Sequence, residues 1–323
     1  MLEYEIKLRN ITALLLSVVI CFWTASAIAQ CWTSDLSEDE QLAVARETFE
    51  TELFAESVEA AKCYLDEFPL GDSREEMLFL KAESFRNSGK LKDAVKVYDE
   101  LMIIYPSSNE YLEKVMFYKG ELQARTKAYP ESMDSLKIFL LKYPDSIFID
   151  KAYYWLGYAT SYHAELLRQK SKEMALPEYV ASTKHFVKSN PKSLSKAQQT
   201  VRLHLLGRAW WFLEDIAQAA EAWAKYFDYS NSISQGDALS LKFQLATGFQ
   251  RYKDYANAEK WYARITKDHP DSELATSASF WRAEMAYAKA VKMGKNTVFD
   301  SNSVKGLVKH YLKYVDRNDY EHL

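Results

Sequence analysis

The sequence predicts an all-α fold, a solenoid of about seven antiparallel helix pairs. Three observations carry this. The stretch Gln235–Ser272 reads as two helices joined by a tight turn and closed by a proline. Its apolar and small residues are Leu245, Ala246, Phe249, Ala258, Tyr262 and Ile265. Counting Ala246 as position 8, they stand at positions 7, 8, 11, 20, 24 and 27, with Pro270 at 32. Small residues at 8 and 20 let the two helices approach, and the rings at 11 and 24 fill the space left. Such a unit cannot bury its own face and needs neighbours. The second observation is that this layout recurs along the chain, punctuated by prolines. The third is composition: 22 Tyr, 16 Phe and 8 Trp stand against 9 Gly and 7 Pro. Gly and Pro are costly inside helices, and aromatic rings fill the gaps between helix pairs.

The pairs follow in order. The first, near 38–69, is degenerate: Ala45 holds position 8, but Ser57 and Ala61 replace the usual second-helix residues. The second, near 75–106, has Leu78, Ala82, Phe85, Ala94, Tyr98 and Leu101, with Gly89 and Lys90 in its turn. The third, near 113–144, has Gly120, Ser132, Leu136 and Phe139. The fourth, near 150–191, has Gly157 at position 8. Its first helix is expected to run to about Lys172 and its second over Tyr179–Ser189. Pro144 and Pro191 are 47 residues apart, so this pair carries an insertion. The fifth, near 200–231, has Leu203, Leu206, Gly207, Trp210, Ala219, Trp223 and Tyr226. The sixth, near 239–270, is the stretch above. The seventh, near 273–318, pairs a helix Glu273–Met293 with a capping helix Ser303–Val315. Three junctions read Tyr105-Pro106-Ser107-Ser108, Tyr143-Pro144-Asp145-Ser146 and His269-Pro270-Asp271-Ser272. There proline stops the outgoing helix and Ser or Asp caps the incoming one.

Residues 1–29 read as a signal peptide. Lys7 and Arg9 precede an apolar run from Ile11 to Ile28, and Ala27-Ile28-Ala29 is a small-x-small cleavage site. The mature chain is expected to begin at Gln30 and to be exported. A run of this length also reaches the span of a bilayer, as an uncleaved anchor would, and Glu3 and Glu5 weaken the positive start. After cleavage two cysteines remain, Cys31 and Cys63. An even count in an exported chain suggests a disulfide. One lies just before the first helix and the other in the last turns of the second, adjacent points of an antiparallel pair. The bridge would close a loop of about 33 residues, worth roughly 3–4 kcal/mol in the chain-entropy model. The alternative is that Cys63 is simply a small core residue.

The register resembles the tetratricopeptide (TPR) repeat, a 34-residue helix–turn–helix unit. With the junctions and the signal peptide, residues 36–318 resemble bacterial periplasmic TPR proteins. The nearest types are the TPR lipoprotein of the outer-membrane β-barrel assembly machine and the coordinator protein of the Tol–Pal system. The first would carry a lipid anchor on Cys31, but Gln30 stands where that signal needs a small residue. The second has an N-terminal coiled-coil segment that this chain lacks.

Motifs for catalysis are missing. The closest glycines, Gly236/Gly248 and Gly294/Gly306, are 12 residues apart, which excludes GxGxxG and P-loop signatures, and there is no GxSxG. His163, His185, His204, His269, His310 and His322 form no HExxH and no close metal spacing. His163-Ala164-Glu165 echoes a deaminase HxE without the PCxxC it requires. Acidic clusters at Glu38-Asp39-Glu40 and Glu75-Glu76 fall in first helical turns, where they complement the helix dipole. No enzyme activity, cofactor or metal is expected. A net charge of −4 offers no attraction for nucleic acid. One basic stretch stands out: between Glu178 and Glu214 there is no acid, while Lys184, Lys188, Lys192, Lys196, Arg202 and Arg208 lie inside. It is either a patch for an anionic partner or a solvated helix edge.

The TPR resemblance implies that first helices line a concave side through positions 2, 5, 9, 12 and 13. Position 5 is Phe79, Phe117, Tyr154, His204, Phe243 and Phe280, an aromatic ladder in all but one repeat. Tyr158 and Tyr162, and Trp211 with Phe212, thicken it at the centre. These rings either present a groove to a partner or pack between helices. The expectation is a non-catalytic scaffold of the bacterial envelope, in the periplasm. Its partner would be a protein or peptide segment held by Tyr154, Tyr158, Tyr162 and Trp211. It would touch a membrane only through a partner or a lipid on Cys31. The competing expectation is a glycan-binding module, with rings stacked on sugars. A catalytic domain beside the solenoid has no residues left to form it.

Overall fold

The computed structural model describes residues 31, 33, 35–229 and 234–292. Among these, thirteen α-helices and no strand are found. Chain contacts divide into two compact units, Met1–Tyr105 and Pro106–Leu323. The first unit holds α1 (Glu38–Glu50), α2 (Phe54–Glu67), α3 (Arg74–Asn87) and α4 (Leu91–Ile104). The second holds α5 (Leu112–Arg125), α6 (Tyr129–Lys142), α7 (Ile149–Arg168), α8 (Lys172–Lys188), α9 (Lys196–Phe212), α10 (Ile216–Tyr229), α11 (Gln235–Arg251), α12 (Tyr255–Asp268) and α13 (Glu273–Lys292). The signal segment and the capping helix expected at Ser303–Val315 lie outside the described residues.

Within each unit, each helix packs on the next because a stripe of small and apolar residues faces its neighbour. Position 8 sits against position 24. A Cβ added at Gly207 would lie 2.3 Å from the Trp223 ring, and one added at Gly157 would lie 2.7 Å from Phe186. These glycines are therefore small by necessity of packing, and Trp223 and Phe186 are almost fully buried against them. Where position 20 is serine, its hydroxyl also finds the first helix. Ser57 Oγ donates to the Ala45 carbonyl at 3.3 Å and Ser132 Oγ to that of Gly120 at 2.8 Å. A buried hydroxyl without such a partner would cost about 1–3 kcal/mol.

The turn within five of the pairs has one residue in the left-handed region: Glu52, Gly89, Lys127, Glu214 and Lys253. All stand seven residues after position 8, and only one is the glycine that such a φ favours. The fourth pair departs from this. Its α7 ends at Arg168 and α8 begins at Lys172, not at Tyr179. Ser171 makes the early start by accepting from the N–H groups of Glu173 and Met174. Pro177 is then inside the helix.

In the first unit Cys31 and Cys63 are joined by a disulfide, with Cα atoms 5.4 Å apart. The adjoining Gln41 side chain donates to the Thr33 carbonyl at 2.9 Å and to Glu67 at 2.6 Å. These contacts pin the chain before α1 to the end of α2.

Candidate partner-binding face

The candidate site is the face of α5, α7 and α9 in the second unit, with the start of α6. Tyr158 and Tyr162 are one turn apart on α7, their ring centres 4.7 Å from each other. Tyr129, the first residue of α6, lies stacked on Tyr162 at 5.5 Å with planes 12° apart. Tyr158 and Tyr162 are half-buried, so each keeps part of its ring in solvent. Burial first, then the neighbouring tyrosines, hold the Tyr158 hydroxyl neutral far above physiological pH. The cluster is an uncharged, partly wet aromatic surface. Tyr129 is the member that sequence reasoning missed. It sits at the start of a second helix, where the repeat register places no groove residue.

The expected ladder divides. Phe117 and Tyr154 are 1% and 2% exposed, so they take the packing role. Phe117 stacks on Phe148 at 4.7 Å, and Tyr154 meets Trp155 edge-on at 5.0 Å. Phe148, at the start of the next first helix, covers Phe117, while Tyr154 is enclosed by Trp155 and Tyr158 of its own helix and Phe186 of α8. Phe79, His204, Phe243 and Phe280 are half-buried. Phe243 lies edge-on to Tyr262, and the His204 ring lies 5.2 Å from Tyr226. Burial pushes His204 down to about 4, with Arg208 adding to it, so the ring is neutral at pH 7. Trp211 does not join the tyrosines. It packs on Trp223 at 6.2 Å and over Gly248, in the core of the fifth and sixth pairs. Phe212 is stacked on Tyr179 at 4.9 Å and carries the Arg168 guanidinium at 4.7 Å.

Glu165 orders the edge of this face. It accepts from Arg168, from Arg208 at 2.8 Å and from Tyr179 at 3.0 Å, joining α7, α8 and α9. The Arg168 hydrogen bond, more than Arg208, holds its carboxyl below the usual carboxylate range. Arg208 is therefore spent inside the fold. Arg202 is too: it is buried and donates twice to the Phe186 carbonyl, at 2.9 and 2.5 Å. Lys184, Lys188, Lys192 and Lys196 remain exposed, and no acidic residue among the described ones pairs with them. Among the described residues no three or more His, Cys, Asp or Glu side chains are placed to hold a metal.

The fold is an all-helical repeat, and its second unit carries a partly exposed cluster of aromatic rings. Residues 76–108 match the tetratricopeptide-repeat family model. No curated protein matches this chain in sequence. Among solved structures it is similar to residues 41 to the end of MamA from Desulfovibrio magneticus. That match has 17% identity and a TM-score of 0.43, over 61% of this chain and 97% of that one. It is similar to PilF of Pseudomonas aeruginosa, with 13% identity and a TM-score of 0.42, over 74% and 94% of the two chains. PilW, described as a type IV pilus biogenesis factor, gives 17% identity and a TM-score of 0.41, over 73% and 95%. At such values the likeness says nothing of partner or role.

Proposed function

We propose that this protein is a non-catalytic scaffold of the bacterial cell envelope, exported to the periplasm. There it would hold an extended or helical segment of a partner protein, in envelope or outer-membrane assembly. The single observation that carries the reading is the Tyr129–Tyr158–Tyr162 cluster: the Tyr162 ring touches both of the others, and Tyr158 and Tyr162 are half open to solvent. Partly exposed tyrosine clusters are the composition of interface hot spots. A glycan would need a free ring face, and the Tyr129–Tyr162 stack covers one face of each of those rings, which favours a protein segment over a sugar.

The test is capture from envelope extract by the double variant Tyr158→Ala/Tyr162→Ala. Truncating hot-spot rings costs roughly 2 kcal/mol or more of binding each, so capture of the wild-type partner should vanish. Both rings are half-buried, so some loss of melting temperature is expected as well. Leu136→Ala, which removes a fully buried side chain, is the control: it should melt lower still and keep capture. Normal capture by the double variant would reject the tyrosine face.

A further inference from the structure

Among the described residues, the five most exposed large aliphatic side chains are Leu70, Ile103, Leu141, Ile147 and Val187. All five stand in the last turn of a second helix or in the loop after it. Three belong to the second unit: Leu141 (83% exposed), Ile147 (86%) and Val187 (67%). Each of the two helices here ends on an aliphatic–lysine pair, Leu141-Lys142 on α6 and Val187-Lys188 on α8. Lys142 Nζ lies 5.5 Å over the Tyr143 ring, and Lys188 Nζ lies 5.3 Å over that of Tyr153.

The two helix ends are neighbours. Asp150, in the first turn of α7, accepts from the Asn190 N–H at 3.1 Å and from Ser193 Oγ at 2.6 Å. That ties the loop after α8 to the loop that leads into α7. Lys192 and Lys196 follow in the same loop and at the start of α9, both exposed. Asp150 is engaged by those hydrogen bonds, which leaves Asp145 as the exposed acid of the two loops. Four exposed lysines thus share these helix ends and loops with three protruding aliphatic side chains.

We propose that this edge docks on an anionic lipid surface, with Leu141, Ile147 and Val187 entering the headgroup layer and Lys142, Lys188 and Lys192 meeting the phosphates. The aliphatic groups are separate knobs on loops and helix ends, not the wall of a groove. A protein partner would need a matched hollow for each, whereas a headgroup layer yields around any apolar knob. Lysine stems can lie along the apolar boundary while their ammonium groups reach the phosphates. Tyrosines beside them suit the same interface. This edge is distinct from the tyrosine face and does not depend on it.

Hydrogen exchange of the full chain on vesicles tests the proposal. Its apolar segment Ile11–Ile28 can hold the chain on any bilayer, so the readout must be local. Vesicles of phosphatidylglycerol and phosphatidylcholine in equal parts should slow exchange of the amides of residues 143–148 and 189–195 by about tenfold, and phosphatidylcholine alone should not. The triple variant Leu141→Ser/Ile147→Ser/Val187→Ser should lose this protection, and so should Lys142→Gln/Lys188→Gln/Lys192→Gln. No protection on the mixed vesicles, or equal protection on neutral ones, would overturn the proposal. Protection that survives the serine variant would overturn insertion. Protection produced by an acidic protein but not by vesicles would reassign the edge to that class of partner.

Discussion

Gly207 shows how much of this fold rests on single atoms. Its missing Cβ is the space that Trp223 fills, and Trp223 Nε1 donates to the His204 carbonyl at 3.1 Å across that contact. Alanine at 207 would raise helix propensity by about 1 kcal/mol. It would also drive a methyl group into an indole that is 1% exposed and held by a hydrogen bond. Overpacking costs roughly 1–3 kcal/mol, so Gly207→Ala should lower stability overall, read as a lower denaturation midpoint. An unchanged midpoint would mean that the indole moves freely. The small residues at position 8 were legible in the sequence because helix crossing demands them. The fate of position 5 was not. Phe117 and Tyr154 are aromatic and stand in the same register as Phe243, yet they are buried and it is half open. Whether such a ring is covered depends on the residue of the following helix that reaches it, such as Phe148 over Phe117, and no local pattern encodes that.

At the scale of elements, the junction prolines and serines mark helix ends well because they act on the backbone directly. The fourth pair was harder. Its α8 starts seven residues before Tyr179 because Ser171 caps it, and the helix then runs through Pro177. A proline at this depth removes one backbone hydrogen bond, to the Glu173 carbonyl, and crowds it. The full penalty for an interior proline is about 3 kcal/mol, offset by up to about 1 kcal/mol for the chain entropy that proline removes from the unfolded state. Pro177 is exposed, so no packing opposes its replacement. Pro177→Ala is therefore expected to stabilise the protein by about 1–2 kcal/mol, seen as a higher midpoint in urea. A loss of stability would instead place the true helix start beyond the proline, as the sequence pattern suggested.

Across the whole chain, charge is unevenly spread. Residues 31–105 contain eighteen acidic and eight basic side chains, whereas residues 106–323 contain twenty-five acidic and thirty-one basic. The excess of acid is concentrated further: residues 31–72 hold twelve acids and only Arg46 and Lys62 as bases. Arg46 is engaged by Glu76 at 2.6 Å, and Lys62 lies 3.8 Å from Glu59. The last turn of α1 has no base to complement its dipole. The first helix pair therefore folds against its own charge, and the Cys31–Cys63 bridge offsets that by shortening the unfolded chain. Removing it should cost roughly 3–4 kcal/mol, and α1 with α2 should become the first site of protease cleavage. Repulsion between exposed charges is screened as the Debye length falls from about 30 Å at 0.01 M salt to about 3 Å at 1 M. Reductant should thus open α1–α2 to protease in dilute buffer, and high salt should partly close it again. In protein taken from its own compartment, thiol titration after denaturation should find Cys31 and Cys63 both blocked. Two free thiols at these positions, or cleavage indifferent to reductant, would show that the first pair stands without the bridge.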